Sequence, residues 1–177
     1  SLWSSPTQLS NKTTAFIRNY DGASDGDVVY YGYYASSGTR FDSYLQRINP
    51  DGTLPWGING ADFDTSQARN EMETAISFNA GSDFIWSVCT YRDSSQGNSG
   101  EYIQKFDIQT GERQFTDSGK QVFDVGSDNV HAGDHRKYDG QKPARYIKCS
   151  MVEQNIVQAE HAKSLCCKKK MLSCFYF

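Results

Sequence analysis

The sequence predicts an all-β protein made of β-propeller-like blades, with about two complete four-stranded units and partial units flanking them. A β-sandwich of two stacked hairpin sheets is the alternative arrangement. Three observations carry this expectation. The first is an internal repeat, in which the segment from Tyr44 to Gly60 returns as the segment from Tyr102 to Gly119. The second is punctuation, with 15 Gly against 4 Pro, the Gly falling in turn pairs such as Asp21-Gly22, Asp51-Gly52 and Thr110-Gly111. The third is composition. Aromatic residues make up 14% of the chain, including 11 Tyr and 10 Phe, and no long Ala- or Leu-rich stretch signals a helix. Such rings suit pleated, half-buried surfaces because they pack on cross-strand neighbours.

The repeat sets the order of the strands. Tyr44-Leu45-Gln46-Arg47-Ile48-Asn49 returns as Tyr102-Ile103-Gln104-Lys105-Phe106-Asp107, at an offset of 58. Trp56-Gly57-Ile58-Asn59-Gly60 answers Phe115-Thr116-Asp117-Ser118-Gly119 at an offset of 59. Thr14-Ala15-Phe16 answers Thr74-Ala75-Ile76 at an offset of 60, and Cys89 precedes Cys149 by that same offset. In the first unit strands are expected over 14–18, 27–34 and 41–49. A short fourth strand is expected near 54–56, with an extension into Phe63. The second unit repeats them over 74–78, 83–91, 101–107 and near 114–115, with an extension into 122–123. Alternation places Tyr30 and Tyr34 on one face and Tyr31 and Tyr33 on the other. The repeat region spans 1–150, with units over about 12–70 and 71–130 and a partial unit over 131–150. Trp3 occupies the place before the first Ala-Phe strand that Trp56 occupies before the Ala-Ile strand, as the remnant of a preceding unit would. One such unit cannot bury both its faces, and a closed propeller takes about four to eight of them. Self-association to complete the blades is therefore an expected partner mode.

The Tyr44–Gly60 segment, with its aromatic-x-Gln-Arg strand, Gly turn and Trp-Gly-x-Asn-Gly, resembles a repeat of large secreted and surface proteins of Bacteroidetes. The second copy is similar, with Phe115 in place of the Trp. The resemblance covers residues 12–130 and implies a propeller-like fold, export and surface display. It carries over no catalytic residue. Asp51-Gly52-Thr53-Leu54-Pro55-Trp56 also resembles the Asp-box turn of sialidase propellers, although its Gly and Pro stand at shifted positions. In that family the turn supports the fold.

Three groups of residues are candidates for chemistry. Asp21, Asp25 and Asp27 lie in an acidic, Gly-rich stretch read as a loop, and their oxygens suit Ca²⁺. A solvated turn is the simpler reading of the same stretch. Tyr31, Tyr33, Trp86 and Tyr91 are ring candidates for stacking on a sugar, against which stands packing between sheets. Asp128, His131, Asp134 and His135 form a polar run that reads as a surface loop more readily than as a metal site. No nucleophile elbow, phosphate loop or dinucleotide fingerprint occurs.

Net charge is −3, from 18 basic and 21 acidic residues, which argues against a nucleic-acid partner held by phosphate contacts. No stretch is apolar enough for a transmembrane segment. Cysteine usage is sparse, with Cys89 separate from Cys149, Cys166, Cys167 and Cys174, so no dense disulfide framework is expected. Residues 151–177 form an atypical Lys- and Cys-rich tail, helical or irregular. The expected function is a non-catalytic, secreted or cell-surface scaffold or binding module, an adhesin or carbohydrate binder whose partner is a glycan or surface protein. The alternative is a piece of an exported glycoside hydrolase of the sialidase-like propeller type.

Overall fold

The computed structural model describes residues 5–13, 20–66, 68–126, 130–132 and 145–147. Among them the chain is all β, with no helix. The first sheet joins β1 (Asp21–Asp25), β2 (Val28–Ser37), β3 (Arg40–Ile48) and β4 (Ala61–Asp62) in that order. The second joins β5 (Asn70–Phe78), β6 (Phe84–Arg92), β7 (Ser99–Asp107) and β8 (Lys120–Gly126). Every pairing within these two four-stranded sheets is antiparallel. Neither sheet closes on itself. A third, two-stranded sheet pairs β9 (Val130–Ala132) and β10 (Arg145–Ile147) in parallel. Among the described residues this pair does not extend the antiparallel meander of the other two sheets. The expected tail over 151–177 and the expected strand over 14–18 lie outside the described residues.

Two expectations about strands are corrected. The acidic stretch read as a loop is strand β1, paired with β2 from Asp21↔Gly32 to Asp25↔Val28. Only Gly26 and Asp27 turn, with Gly26 at φ 57°, the first central position that a tight hairpin reserves for Gly. The fourth strands are β4 and β8, whereas 54–56 and 114–115 are loop.

The reason lies in the repeated Gln. Gln46 and Gln104 are fully buried. Each side-chain oxygen accepts the next residue's amide, from Arg47 at 3.0 Å and from Lys105 at 3.1 Å. Each side-chain nitrogen donates to the loop that follows, Gln46 to the Gly57 carbonyl at 2.8 Å and Gln104 to the Thr116 carbonyl at 3.0 Å. The Gln thus supplies the hydrogen bonds that a ladder would otherwise have given. Replacing Gln104 by Leu strands the Thr116 carbonyl and the Phe115 amide, which donates to the Gln104 oxygen at 3.1 Å. We expect a cost of about 3 kcal/mol, read as a fall of about 8 °C in melting temperature. An unshifted melting curve would rule out the brace.

The drift of the repeat offset by one also has a location. Asn49 accepts the Gly52 amide at 2.9 Å, while Asp107 accepts the Gly111 amide at 2.9 Å. The turn after β7 is therefore one residue longer than the turn after β3.

The two sheets pack face to face. Tyr30 and Leu45 from the first meet Ile76, Ile85, Phe106 and Ile108 from the second, with Trp56 and Phe78 at the margin. Burying each of these large side chains stabilises the fold by about 1.5–3 kcal/mol. β5 lies against β1, β2 and β3, and β9 lies against the corresponding strands of the next sheet, β5, β6 and β7. The same step is taken twice.

Candidate functional site

The four ring candidates do not form one platform. Tyr31 and Tyr33 lie on the face of the first sheet turned away from the second. There they continue a stacked ladder, Tyr20 to Tyr31 at 5.5 Å, Tyr31 to Tyr33 at 5.8 Å and Tyr33 to Tyr44 at 5.3 Å. Tyr33 is buried and donates its hydroxyl to the Asn59 carbonyl at 2.8 Å. Burial pushes its pKa up to about 12. Tyr91 lies on the face of the second sheet turned toward the first, against Phe63 and stacked on Tyr102 at 4.1 Å with Arg69 over both rings. Trp86 alternates to the far face of the second sheet, 5.7 Å from Phe115. That pair repeats the Tyr30–Trp56 pair of the first sheet, at 6.1 Å. Trp86 and Tyr91 are as buried as Tyr33. Of the four, Tyr31 alone is half exposed.

The three Asp residues are not gathered either. Asp21 accepts the Ile76 amide of the second sheet at 2.9 Å and the Gly22 amide at 2.9 Å. Its carboxylate therefore joins two sheets. Asp25 is four strand residues away, roughly 13 Å at the rise of a β-strand. Asp27 is in the turn. Ca²⁺ needs six to eight oxygens at about 2.3–2.6 Å. Among the described residues no group of three or more His, Cys, Asp or Glu side chains could hold a metal ion. The His131 backbone lies in β9, whereas Asp128, Asp134 and His135 fall outside the described residues.

The structure assembles instead a seam of acids that the repeat did not point to. β4 and the segment after it deliver Asp62, Phe63 and Asp64 to the junction of the two sheets, where β3 brings Arg40 and Asp42 and β5 brings Glu71. Asp42 pairs with the Arg40 guanidinium at 2.7 Å and accepts the Tyr44 hydroxyl at 3.3 Å. Asp64 accepts hydrogen bonds from the Tyr91 hydroxyl and the Ser66 amide. Glu71 accepts the Ser43 amide at 3.1 Å. Burial pushes Glu71 up to about 10, with the Asp64 charge adding to it and the Ser43 amide opposing. Burial pushes Asp62 up to about 7, reinforced by Asp42 and opposed by Arg113. Asp64 is raised by burial despite its hydrogen bonds. Across the second sheet burial raises Glu101 well above the carboxylate range, although Thr90 donates to it at 3.1 Å. Cys89, a buried free thiol, is pushed up by burial and by Glu71 and Glu101.

Exposed carboxylates behave in the opposite way. Asp51 accepts the Thr53 amide at 2.9 Å and its hydroxyl at 2.7 Å, which holds its pKa below the usual range. Asp107 does the same for the next turn, taking the Thr110 amide at 2.8 Å. Both close turns.

Asp62 of the acid seam lines a groove of about 490 Å³ together with Glu112, Arg113, Phe115 and Asp117. Arg113 donates to the Asp62 carbonyl at 3.0 Å and pairs with Asp117 at 3.1 Å. Asp117 in turn accepts the Thr65 hydroxyl at 2.8 Å. A carboxyl, a fixed guanidinium and an aromatic ring at one opening offer a polyhydroxylated ligand hydrogen bonds and an apolar face. No signal in the sequence marked this site. Asp62 and Arg113 are far apart in the chain and meet only because the second sheet's loop crosses the first sheet's edge. No family model, curated protein or solved structure matches the chain.

Proposed function

We propose that the chain is a run of propeller-type blades from a secreted or cell-surface protein, serving as a non-catalytic scaffold and binding module whose partner is a glycan. The observation that carries the blade reading is the repeated step, β5 on the first sheet and β9 on the second. The same Gln brace inside each unit supports it. The repeat motif around Gln46 and Gln104 supports surface display through the resemblance it bears. The groove at Asp62, Arg113 and Phe115 is the place for the saccharide. On a glycan array the chain should bind a defined subset of saccharides, and Arg113→Ala should reduce that binding at least tenfold. A blank array would remove the binding half of the reading.

One observation favours the alternative, a glycoside hydrolase. Asp62 is held near 7, where a carboxyl can act as a general acid, and Asp117 lies in the same groove. A panel of fluorogenic glycosides decides between the two. The binding-module reading expects no turnover. Turnover abolished by Asp62→Asn would establish the hydrolase instead.

A further inference from the structure

The large hydrophobic side chains exposed among the described residues are Tyr20 at 58%, Val29 at 39% and Ile58 at 41%. Val29 lies on the outer face of the first sheet, two residues from Tyr31, on whose ring Tyr20 stacks. A patch of apolar and aromatic groups on one side of a small sheet marks an interaction surface.

The second sheet shows what such a face is for. Val29 pairs with Ile48, and Ile85 pairs with Phe106 at the corresponding register. Tyr31 faces Gln46, and Ser87 faces Gln104. Val29 and Tyr31 therefore correspond to Ile85 and Ser87, which are fully buried. Tyr30 and Leu45 of the first sheet cover that zone. Two further contacts lock it. Arg47 donates to the Ile108 carbonyl at 2.6 Å, and the Trp56 ring seats on Gly111, where an added Cβ would stand 2.9 Å from the ring. Gly52 is the counterpart of Gly111 in the first sheet, with the same left-handed φ, 83° against 75°.

The segments that lead into the two sheets also correspond. Residues 5–13 cross the outer face of the first sheet, where the Leu9 carbonyl accepts Gln46 at 3.1 Å and Lys12 lies over the Tyr44 ring. Thr13 bridges Ser36 as Asn70 pairs with Arg92. The segment after β4 crosses the second sheet in the same way, placing Phe63 against Cys89, Tyr91 and Tyr102. In each unit the incoming segment covers one half of the face. In the second unit the preceding sheet covers the other half, and in the first unit that half is the exposed patch.

We infer that the patch formed by Tyr20, Val29 and Tyr31 is a docking surface for another four-stranded unit of this same repeat. That unit presents the row Tyr30, Leu45, Arg47 and Trp56 form in the first sheet. The inference rests on the blade reading above.

The test uses the full chain with residues 13–69 duplicated in tandem, because Thr13 and Asn70 hold equivalent places opposite Ser36 and Arg92. Val29→Glu is then introduced into either copy. In the outer copy, and in the original chain, Val29 is exposed and the melting temperature should fall by less than about 2 °C. In the inner copy the charge is trapped between sheets, and the fall should be about 8 °C or more. An inner variant that fails to fold while the outer one folds supports the inference, and Val29→Ala then grades the loss. Equal shifts in the two copies, or a duplicated unit that melts separately from the rest, overturn it. Neither result touches the glycan and hydrolysis outcomes, which test the function by themselves.

Discussion

Gly60→Ala and Gly119→Ala are each expected to lower the melting temperature by about 10 °C, a loss of about 3 kcal/mol or more in a domain of this size. Both glycines hold left-handed backbone, at φ 72° and 69°. That conformation alone costs an Ala about 1–2 kcal/mol. The larger part is steric. A Cβ at Gly60 would stand 2.9 Å from the Gln46 Cα and overlap the Leu45 carbonyl oxygen. A Cβ at Gly119 would meet the Ile103 carbonyl in the same way, 3.1 Å from its carbon. Both neighbours are backbone of a central strand, so neither can yield cheaply. Gly38 is the control, because its φ is 73° but nothing lies within 4 Å of an added Cβ. Gly38→Ala should therefore show the conformational cost alone, about 1–2 kcal/mol. Thermal denaturation of the three variants, side by side, measures the difference. Equal shifts at Gly38 and Gly60 would show that the close approach to the third strand carries no energy.

These two glycines were legible in the sequence as members of a repeat, at the end of Trp-Gly-x-Asn-Gly and of its second copy. What they do was not. The pattern Gln-Arg/Lys, Gly turn, Gly marks a period, but a buried Gln bonding to a loop two turns later leaves no trace in alternation. The fourth strand was accordingly expected at 54–56, where Gln46 instead holds a loop, and its real place, Ala61–Asp62, fell in the allowance made for an extension. Strand β1 was missed for a different reason. Asp, Gly and Ser are the residues of turns, and Asp21–Asp25 contains little else. As an edge strand it has no need of apolar residues on both faces. Its inward Asp21 satisfies the Ile76 amide of the neighbouring sheet, which no local rule anticipates. The aromatic residues show the limit of alternation most plainly. It separated Tyr30 and Tyr34 from Tyr31 and Tyr33 correctly. It could not say which neighbouring element buries Tyr33, Trp86 and Tyr91, because coverage is a property of that element. The acids were the least legible. Asp42, Asp62, Asp64 and Glu71 are charged letters in polar surroundings, and only the packing of one sheet on the other places them together.

That seam makes the protein sensitive to alkali well within the neutral range. The folded-state pKa of Asp62 is raised from 3.8 to about 7 and that of Glu71 from 4.5 to about 10. For both the cause is first burial and then the charge of neighbouring carboxylates. A group whose pKa is higher in the folded state binds its proton more tightly there. Its contribution is therefore fully present below the unfolded pKa and is lost as pH rises toward the folded one. The window opens near pH 3.8 for Asp62 and near pH 4.5 for Glu71. Asp62 has given up its share by about pH 7, and it is the smaller share because this side chain is half exposed. Glu71 is buried and goes on losing stability through pH 8 and beyond. One proton released on unfolding is worth about 1.4 kcal/mol per pH unit. The melting temperature should thus be higher at pH 5 than at pH 8, by about 5 °C or more. Glu71→Gln should remove the share of that slope that Glu71 carries and leave the share of Glu101, which burial also raises. The amide oxygen can still accept the Ser43 N–H, and no charge is left to repel Asp64. The variant should be more stable than the parent at pH 8 and close to it at pH 5. The pattern of the second sheet agrees, since the position across from Tyr102 that corresponds to Asp62 is the neutral Gln121. Melting curves at the two pH values, for parent and variant, decide the matter. A parent more stable at pH 8, or a slope untouched by Glu71→Gln, would mean that the buried acids are ionised and compensated by partners other than their own protons.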